Sequence, residues 1–110
     1  MVFKIIKPLD DNVKEAIISN DIEKLKNING FDYNQAIMYA CTNKKLLTVN
    51  YLLNKVTNYN EVAKYAAING WLSIVRLMIK KGARNYREII RYATEYEHMD
   101  VVDYVLKIQR

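Results

Sequence analysis

The chain has 110 residues and a formal net charge of +5, with 51% hydrophobic and 26% charged residues. This length and composition fit one folded domain and exclude a disordered chain. Only three glycines and one proline occur, which favours helices over a turn-rich β protein, and the single cysteine, Cys41, excludes an internal disulfide.

The N-terminal segment MVFKIIKPLD is not expected to be a signal peptide. Lys4 and Lys7 interrupt its apolar run and Pro8 ends it. No later stretch approaches the roughly 18 apolar residues that a membrane helix needs. We therefore expect an intracellular, cytoplasmic protein with no membrane contact. Residues 1–10 are expected to form an arm or cap, with Asp10 and Asp11 capping the first helix.

An internal repeat runs through the rest of the chain. The segment YNQAIMYA at 33–40 aligns with YNEVAKYA at 59–66, an offset of 26, and with YREIIRYA at 86–93, a further offset of 27. The aliphatic positions that follow also coincide, and a degenerate copy precedes them. We predict a single domain over residues 1–110 with four units, at about 11–32, 33–58, 59–85 and 86–110.

Each unit is predicted to form two short helices. In the third unit Val62, Tyr65 and Ala66 follow helical spacing, and Gly70 then ends the first helix because glycine readily takes a left-handed conformation. A second apolar helix runs to Gly82. An alanine recurs at one position, which lets neighbouring units stack closely; these residues are Ala16, Ala40, Ala66 and Ala93.

The stretch AAINGWLSIVRLMIKKGA at 66–83 resembles the second half of the ankyrin repeat, A-A-x-x-G-H-L-x-I-V-x-L-L-L-x-x-G-A. The resemblance covers residues 11–108 and implies an all-α solenoid of four stacked helix–turn–helix repeats. The family's T-P-L-H helix start is absent. At the position where the family usually has a histidine, the fourth unit keeps His98, whereas the second and third units have Lys45 and Trp71. The units are shorter than the standard repeat of roughly 33 residues, so shortened hairpin fingers are expected. This resembles the divergent ankyrins of large DNA viruses and implies a viral protein in the host cytoplasm.

No catalytic, cofactor or metal site is expected. One histidine and one cysteine are too few for a zinc site without suitably spaced carboxylates. No phosphate-binding loop or nucleophile motif is present. His98 is expected to be structural and Cys41 to be a small buried residue. The chain is therefore predicted not to be an enzyme.

The resemblance implies that another protein binds the concave face, which ankyrin proteins build from the connections and the variable ends of the first helices. Ile68 and Tyr96 are the strongest candidates among these positions. Trp71 is a further candidate, since tryptophan is enriched in binding hot spots, although it would equally suit packing on the next turn. The remaining candidates are Thr42, Asn43, Asn58, Asn60, Asn69, Arg84, Asn85, Arg87 and Glu95.

Three functional hypotheses follow. The first is a non-catalytic module that binds a protein, by resemblance a host regulatory protein. The second is nucleic-acid binding through a basic surface, which periodicity divides between first and second helices. Its residues would be Lys64, Arg76, Lys80, Lys81, Arg84, Arg87 and Arg91. The third is self-association, because the last unit ends with Val101, Val102, Val105 and Ile108 and lacks a polar cap. The expected oligomeric state is a monomer or a weak homo-oligomer.

Overall fold

The computed structural model describes residues 8–109, and the expected arm or cap therefore lies largely outside the described residues. This part of the chain contains eight α-helices and no strand. The helices are α1 (Asp11–Ile18), α2 (Ile22–Lys26), α3 (Tyr33–Thr42), α4 (Leu46–Leu53), α5 (Tyr59–Ile68), α6 (Leu72–Lys81), α7 (Tyr86–Glu95) and α8 (Met99–Ile108).

The helices stack as four consecutive pairs, one in each of the ranges proposed as units. Within a pair the two helices pack on each other, and α1, α3, α5 and α7 also contact one another in order. The second helices contact one another much less. Because the first helices lie closer together, the stack curves toward them and places them on its concave side. The predicted all-α solenoid is confirmed.

Short polar side chains begin most of the first helices. Asp10 Oδ1 accepts a hydrogen bond from the Asn12 backbone N–H at 2.8 Å, as expected for a cap of α1. Asp32 does the same for α3, and Asn58 accepts from the Glu61 N–H at 3.2 Å in α5. These bonds satisfy backbone donors that the first turn of a helix leaves without partners. The side chain of Asn85, at the start of α7, makes no such bond.

The turn between the two helices of a unit has the same geometry in all four units. Its central residue takes a left-handed conformation; these residues are Asn20 (φ 53°), Lys44 (φ 52°), Gly70 (φ 64°) and Glu97 (φ 63°). The next backbone N–H then donates to the carbonyl of the recurring alanine, at 2.9, 2.9, 2.8 and 2.7 Å in order along the chain. This is the Schellman pattern of helix termination. The predicted left-handed Gly70 is confirmed, and three non-glycine residues adopt the same strained conformation.

The core lies between the helices and is continuous through the stack. The recurring alanines are fully buried, so the first helices can approach one another closely. Larger apolar side chains fill the space next to the second helices; they include Ile37, Leu52, Ile74, Met78 and Ile89. The one buried polar residue among those described is Thr48, whose hydroxyl donates to Asn20 Oδ1 of the preceding unit at 2.9 Å. The hydrogen bond satisfies a group that burial would otherwise destabilise.

Short connections join successive units. Residues 54–58 join α4 to α5, and residues 82–85 join α6 to α7. In the second connection Asn60 Oδ1 accepts from the Arg84 N–H at 2.9 Å, and Asn85 Nδ2 donates to the Asn60 carbonyl at 2.9 Å. These two bonds hold the connection that leads into α7 against the first turn of α5.

The final helix does not have the uncovered apolar face on which the hypothesis of self-association was based. Val101, Val102 and Val105 are buried because α8 packs on α7 and α6, so they do not form an uncovered terminal face. Of the four residues that suggested one, only Ile108 is exposed. Met99 and Leu106 are the other large apolar side chains of α8 that are exposed.

The shared turn predicts opposite effects of two substitutions. Gly70→Ala should lower the free energy of unfolding by at least about 1–2 kcal/mol, because alanine is strained at this positive φ. The new Cβ would also overlap the His98 imidazole.

Lys44→Gly should raise the free energy of unfolding by up to about 1 kcal/mol, since relief of strain exceeds the added chain entropy. Urea unfolding measures both.

A His98→Ala background separates the two causes for Gly70. There the overlap is absent, so Gly70→Ala should lower stability less than in the native protein. Unchanged stability of Gly70→Ala in both backgrounds would contradict this description of the turn.

Candidate functional site

The first helices present one face away from the core, and α5 shows how it is built. The side of α5 that faces the other helices is fully or almost fully buried; its residues are Val62, Ala63, Ala66 and Ala67. Lys64, Tyr65 and Ile68 lie on the opposite side at helical spacing and are only half-buried. Because the helix pairs repeat, the same positions of α3 and α7 extend this surface into rows. We call the surface formed by the outward sides of α3, α5 and α7 the concave face.

A row of tyrosines crosses the concave face. Tyr39, Tyr65 and Tyr92 occupy one repeat position, and each is half-buried against the core. A cation lies over each ring: Lys14 at 5.8 Å, Lys64 at 5.2 Å and Arg91 at 4.8 Å from the respective ring centres. These rings thus pack on the core, as expected, and are also partly exposed to solvent. Their recurrence in the sequence indicates a packing role but does not reveal that part of each ring remains accessible.

Hydrogen bonds fix the middle of the row. The Tyr65 hydroxyl donates to Glu61 Oε2 at 3.1 Å, and Lys64 Nζ lies 3.0 Å from the same oxygen. Partial burial, followed by the charge and hydrogen bond of Glu61, raises the pKa of the Tyr65 hydroxyl. Burial alone would lower the pKa of Lys64, but the hydrogen bond and charge of Glu61 raise it overall. Tyr65 is therefore a neutral hydrogen-bonding group at physiological pH, and Lys64 is a cation.

Two row positions differ between units. One holds Met38, Lys64 and Arg91, and the other holds Thr42, Ile68 and Glu95. The exposed surface consequently changes from uncharged on α3 to charged on α5 and α7. The backbone beneath it repeats, so the variation alters the chemistry of the face without altering its shape.

The predicted site residues at the ends of the first helices divide into two kinds. Three of them help to end their own helices, because their side chains donate to backbone carbonyls one turn earlier. These donors are the Thr42 hydroxyl at 3.0 Å, Asn43 Nδ2 at 2.9 Å and Asn69 Nδ2 at 2.8 Å. Glu95 and Tyr96 are exposed, with 51% of the Tyr96 surface accessible. Tyr96 therefore offers a large aromatic surface to a partner.

Ile68, Trp71 and His98 lie near one another at the turns of the third and fourth units. Ile68 is half-buried, and its carbonyl lies 3.0 Å from His98 Nε2, which must donate because a carbonyl can only accept. His98 thus links two units, which is the structural role expected for it. Trp71 precedes α6 and packs partly against the core, in line with the packing alternative considered for it.

Most predicted residues of the connections have structural partners. Asn58 caps α5, and Asn60, Arg84 and Asn85 take part in the hydrogen bonds that hold the connection before α7 against the start of α5. Arg87 is exposed and extends from the first turn of α7. Of these five residues, Arg87 is the one whose side chain makes no hydrogen bond or ion pair within residues 8–109.

Two open clefts lie at the end of the concave face nearest the connections. A cleft of about 380 Å³ has a mixed polar lining of Phe31, Asp32, Tyr33, Asn34, Lys55, Val56, Thr57 and Asn58. A second cleft, of about 390 Å³, lies at the start of α7; we call it the arginine cleft. It is lined by Arg84, Asn85, Tyr86, Arg87, Glu88 and Arg91.

The basic residues are divided between first and second helices. Lys64 and Arg91 lie on first helices, whereas Arg76, Lys80 and Lys81 lie on α6, a second helix. The division expected from periodicity is therefore present in the structure.

The cysteine of the chain lies in the core. Cys41 is fully buried, and burial raises the pKa of its thiol to about 12. Within residues 8–109 no three His, Cys, Asp or Glu side chains are grouped closely enough to hold a metal ion. None of the eight described helices has the length and apolar character needed to cross a membrane.

Comparison with known protein families identifies a match. The model of a family described as ankyrin repeats (3 copies) matches residues 37–109. The matched region contains α4 to α8 and most of α3. No curated protein matches the chain.

The buried thiol predicts slow alkylation of the folded protein. With a pKa of about 12, Cys41 is almost entirely protonated at neutral pH, and the thiolate is the reactive form. We expect iodoacetamide to modify the folded chain at least about 100-fold more slowly than the chain unfolded in urea. Mass spectrometry over time measures both rates. Equal rates would show that Cys41 is accessible in the folded protein.

Proposed function

The chain belongs to the ankyrin repeat family, and from this premise we propose that it is a non-catalytic module that binds another protein through its concave face. Ankyrin repeats generally mediate protein–protein interaction. The observation that supports the concave face is the set of rows across α3, α5 and α7, which presents different exposed side chains on a repeated backbone.

The composition of the concave face suits recognition of a protein surface. Tyrosine and arginine are among the residue types that contribute most to binding energy in interfaces. Tyr65 and Arg91 are held in place by Glu61 and by the Tyr92 ring, respectively, before any partner binds. Groups that are already ordered lose less conformational freedom on association, so this arrangement favours binding.

The candidate residues are proposed to act in two ways. Ile68, Arg87, Glu95 and Tyr96 present side chains to the partner directly. The others support the face, because they cap or end helices, hold the connection before α7 or pack on the core; these residues are Thr42, Asn43, Asn58, Asn60, Asn69, Trp71, Arg84 and Asn85.

The proposed partner is a host regulatory protein in the cytoplasm. This finer proposal is supported by the resemblance to the divergent ankyrin proteins of large DNA viruses, with units of 26 and 27 residues at the offsets 33 to 59 and 59 to 86. Nucleic-acid binding is less well supported. The cations are divided between opposite sides of the stack, and the tyrosines of the row are half-buried rather than free to stack on bases.

Paired variants test the proposal. Ile68→Arg places a charge in the middle of the concave face, whereas Asn50→Arg adds the same charge at an exposed position of α4. A partner is first identified by cross-linking to the native chain and then purified for titration calorimetry. We expect Ile68→Arg to weaken the complex at least about tenfold, since a charge is forced into a desolvated contact, and Asn50→Arg to leave the dissociation constant unchanged.

Circular dichroism on heating establishes that both variants fold. Equal weakening by the two substitutions, or weakening by Asn50→Arg alone, would contradict binding through the concave face.

A further inference from the structure

We propose that the arginine cleft binds an acidic segment of the partner protein. This inference rests on the proposed function and adds the chemistry of the partner. Arg87 and Arg91 are four residues apart in α7 and so lie on one side of that helix, and Arg84 lies in the connection just before it. They line a single cleft of about 390 Å³.

The three guanidinium groups have no anionic partner within the described chain. The ion pairs of residues 8–109 all use lysines, namely Lys24, Lys26 and Lys64, and none uses an arginine. Exposed arginines on a protein that binds another chain are suited to bidentate pairing with carboxylates. The cleft thus presents cationic groups that form no ion pair within residues 8–109.

The nearby acidic residues are already engaged. Glu88, the only carboxylate that lines the arginine cleft, accepts a hydrogen bond from Asn85 Nδ2 at 3.0 Å. Glu61 pairs with Lys64 and accepts from the Tyr65 hydroxyl. With three arginines and one glutamate in its lining, the cleft is electropositive and complementary to an acidic ligand.

Two of the arginines are held in position. The Arg84 guanidinium donates to the Ile79 and Ala83 carbonyls at 3.0 and 2.8 Å, and the Arg91 guanidinium lies 4.8 Å from the centre of the Tyr92 ring. This ordering reduces the entropy that binding would cost. The first turn of α7 adds to the attraction, because the Asn85 side chain makes no cap bond there and helix N-termini favour anions.

An acidic peptide fits these observations better than a nucleic acid does. A polynucleotide needs cations along its backbone, but Lys64, the neighbouring cation of the concave face, is paired with Glu61, and Lys80 and Lys81 lie on α6. Tyr86 and Tyr92, the aromatic residues nearest the arginines, are half-buried and packed against the core, so they offer little surface for base stacking. A compact group of carboxylates needs only the three clustered arginines.

Fluorescence anisotropy with defined probes tests the inference. The probes are a labelled oligo-glutamate peptide, its oligo-glutamine counterpart and a single-stranded oligonucleotide of equal charge. The full chain is compared with Arg87→Gln/Arg91→Gln and with Arg76→Gln/Lys80→Gln, which removes the same charge from α6. Arg84 is left intact because its guanidinium also bonds to the Ile79 and Ala83 carbonyls within the third unit. Melting followed by circular dichroism shows that each variant is folded.

We expect the glutamate peptide to bind, the glutamine peptide not to bind, and the cleft variant to weaken binding at least about tenfold while the α6 variant changes it less than about twofold. Equal weakening by both variants, absence of glutamate-peptide binding, or tighter binding of the oligonucleotide through the same arginines would overturn the inference. The assay uses no cellular partner. The two proposals can therefore fail separately. If Ile68→Arg weakens binding of the partner but oligo-glutamate does not bind, this inference is overturned and the proposed function stands.

Discussion

In each unit the chain reverses direction through a residue in the left-handed conformation, and the placement of every helix pair depends on that turn. The N–H that follows bonds to the carbonyl of the recurring alanine, as in Trp71 to Ala66 at 2.8 Å. The bond fixes where the first helix ends and the direction in which the second begins. Lys44 and Glu97 adopt this conformation despite strain of about 1–2 kcal/mol for a residue with a Cβ. The packing of the stack must offset that strain.

A constant turn also fixes the register of the first helices relative to one another. Their buried alanines bring them close together, and their outward positions then fall into rows. A substitution in a row changes the chemistry of the concave face but leaves its shape intact, as the series Met38, Lys64 and Arg91 illustrates. Under the proposed function, stability and recognition are assigned to opposite sides of the same helices. The side chains of the concave face can then vary without disturbing the buried side that stabilises the stack.

The sequence predicted the fold well because each repeat gives the same signal several times. Apolar spacing, the alanines and Gly70 located the helix pairs, although nothing at Lys44 or Glu97 indicates a left-handed residue, since neither type favours it. The site was harder to predict. Position in the repeat identified Asn60 and Arg84, but only the coordinates show that they bond to each other from opposite ends of the third unit. Which side chains are free depends on contacts between residues distant in sequence, and local patterns do not encode these contacts.

Hydrogen–deuterium exchange of the chain with and without its purified partner tests the central claim most directly, namely that the concave face of the stack is the binding surface. The account predicts slower exchange at the exposed turns and ends of α3, α5 and α7, around residues 42–44, 68–70 and 94–97, and little change in the outer helices α4 and α6. Protection concentrated on α4 and α6, with the first helices unchanged, would contradict it.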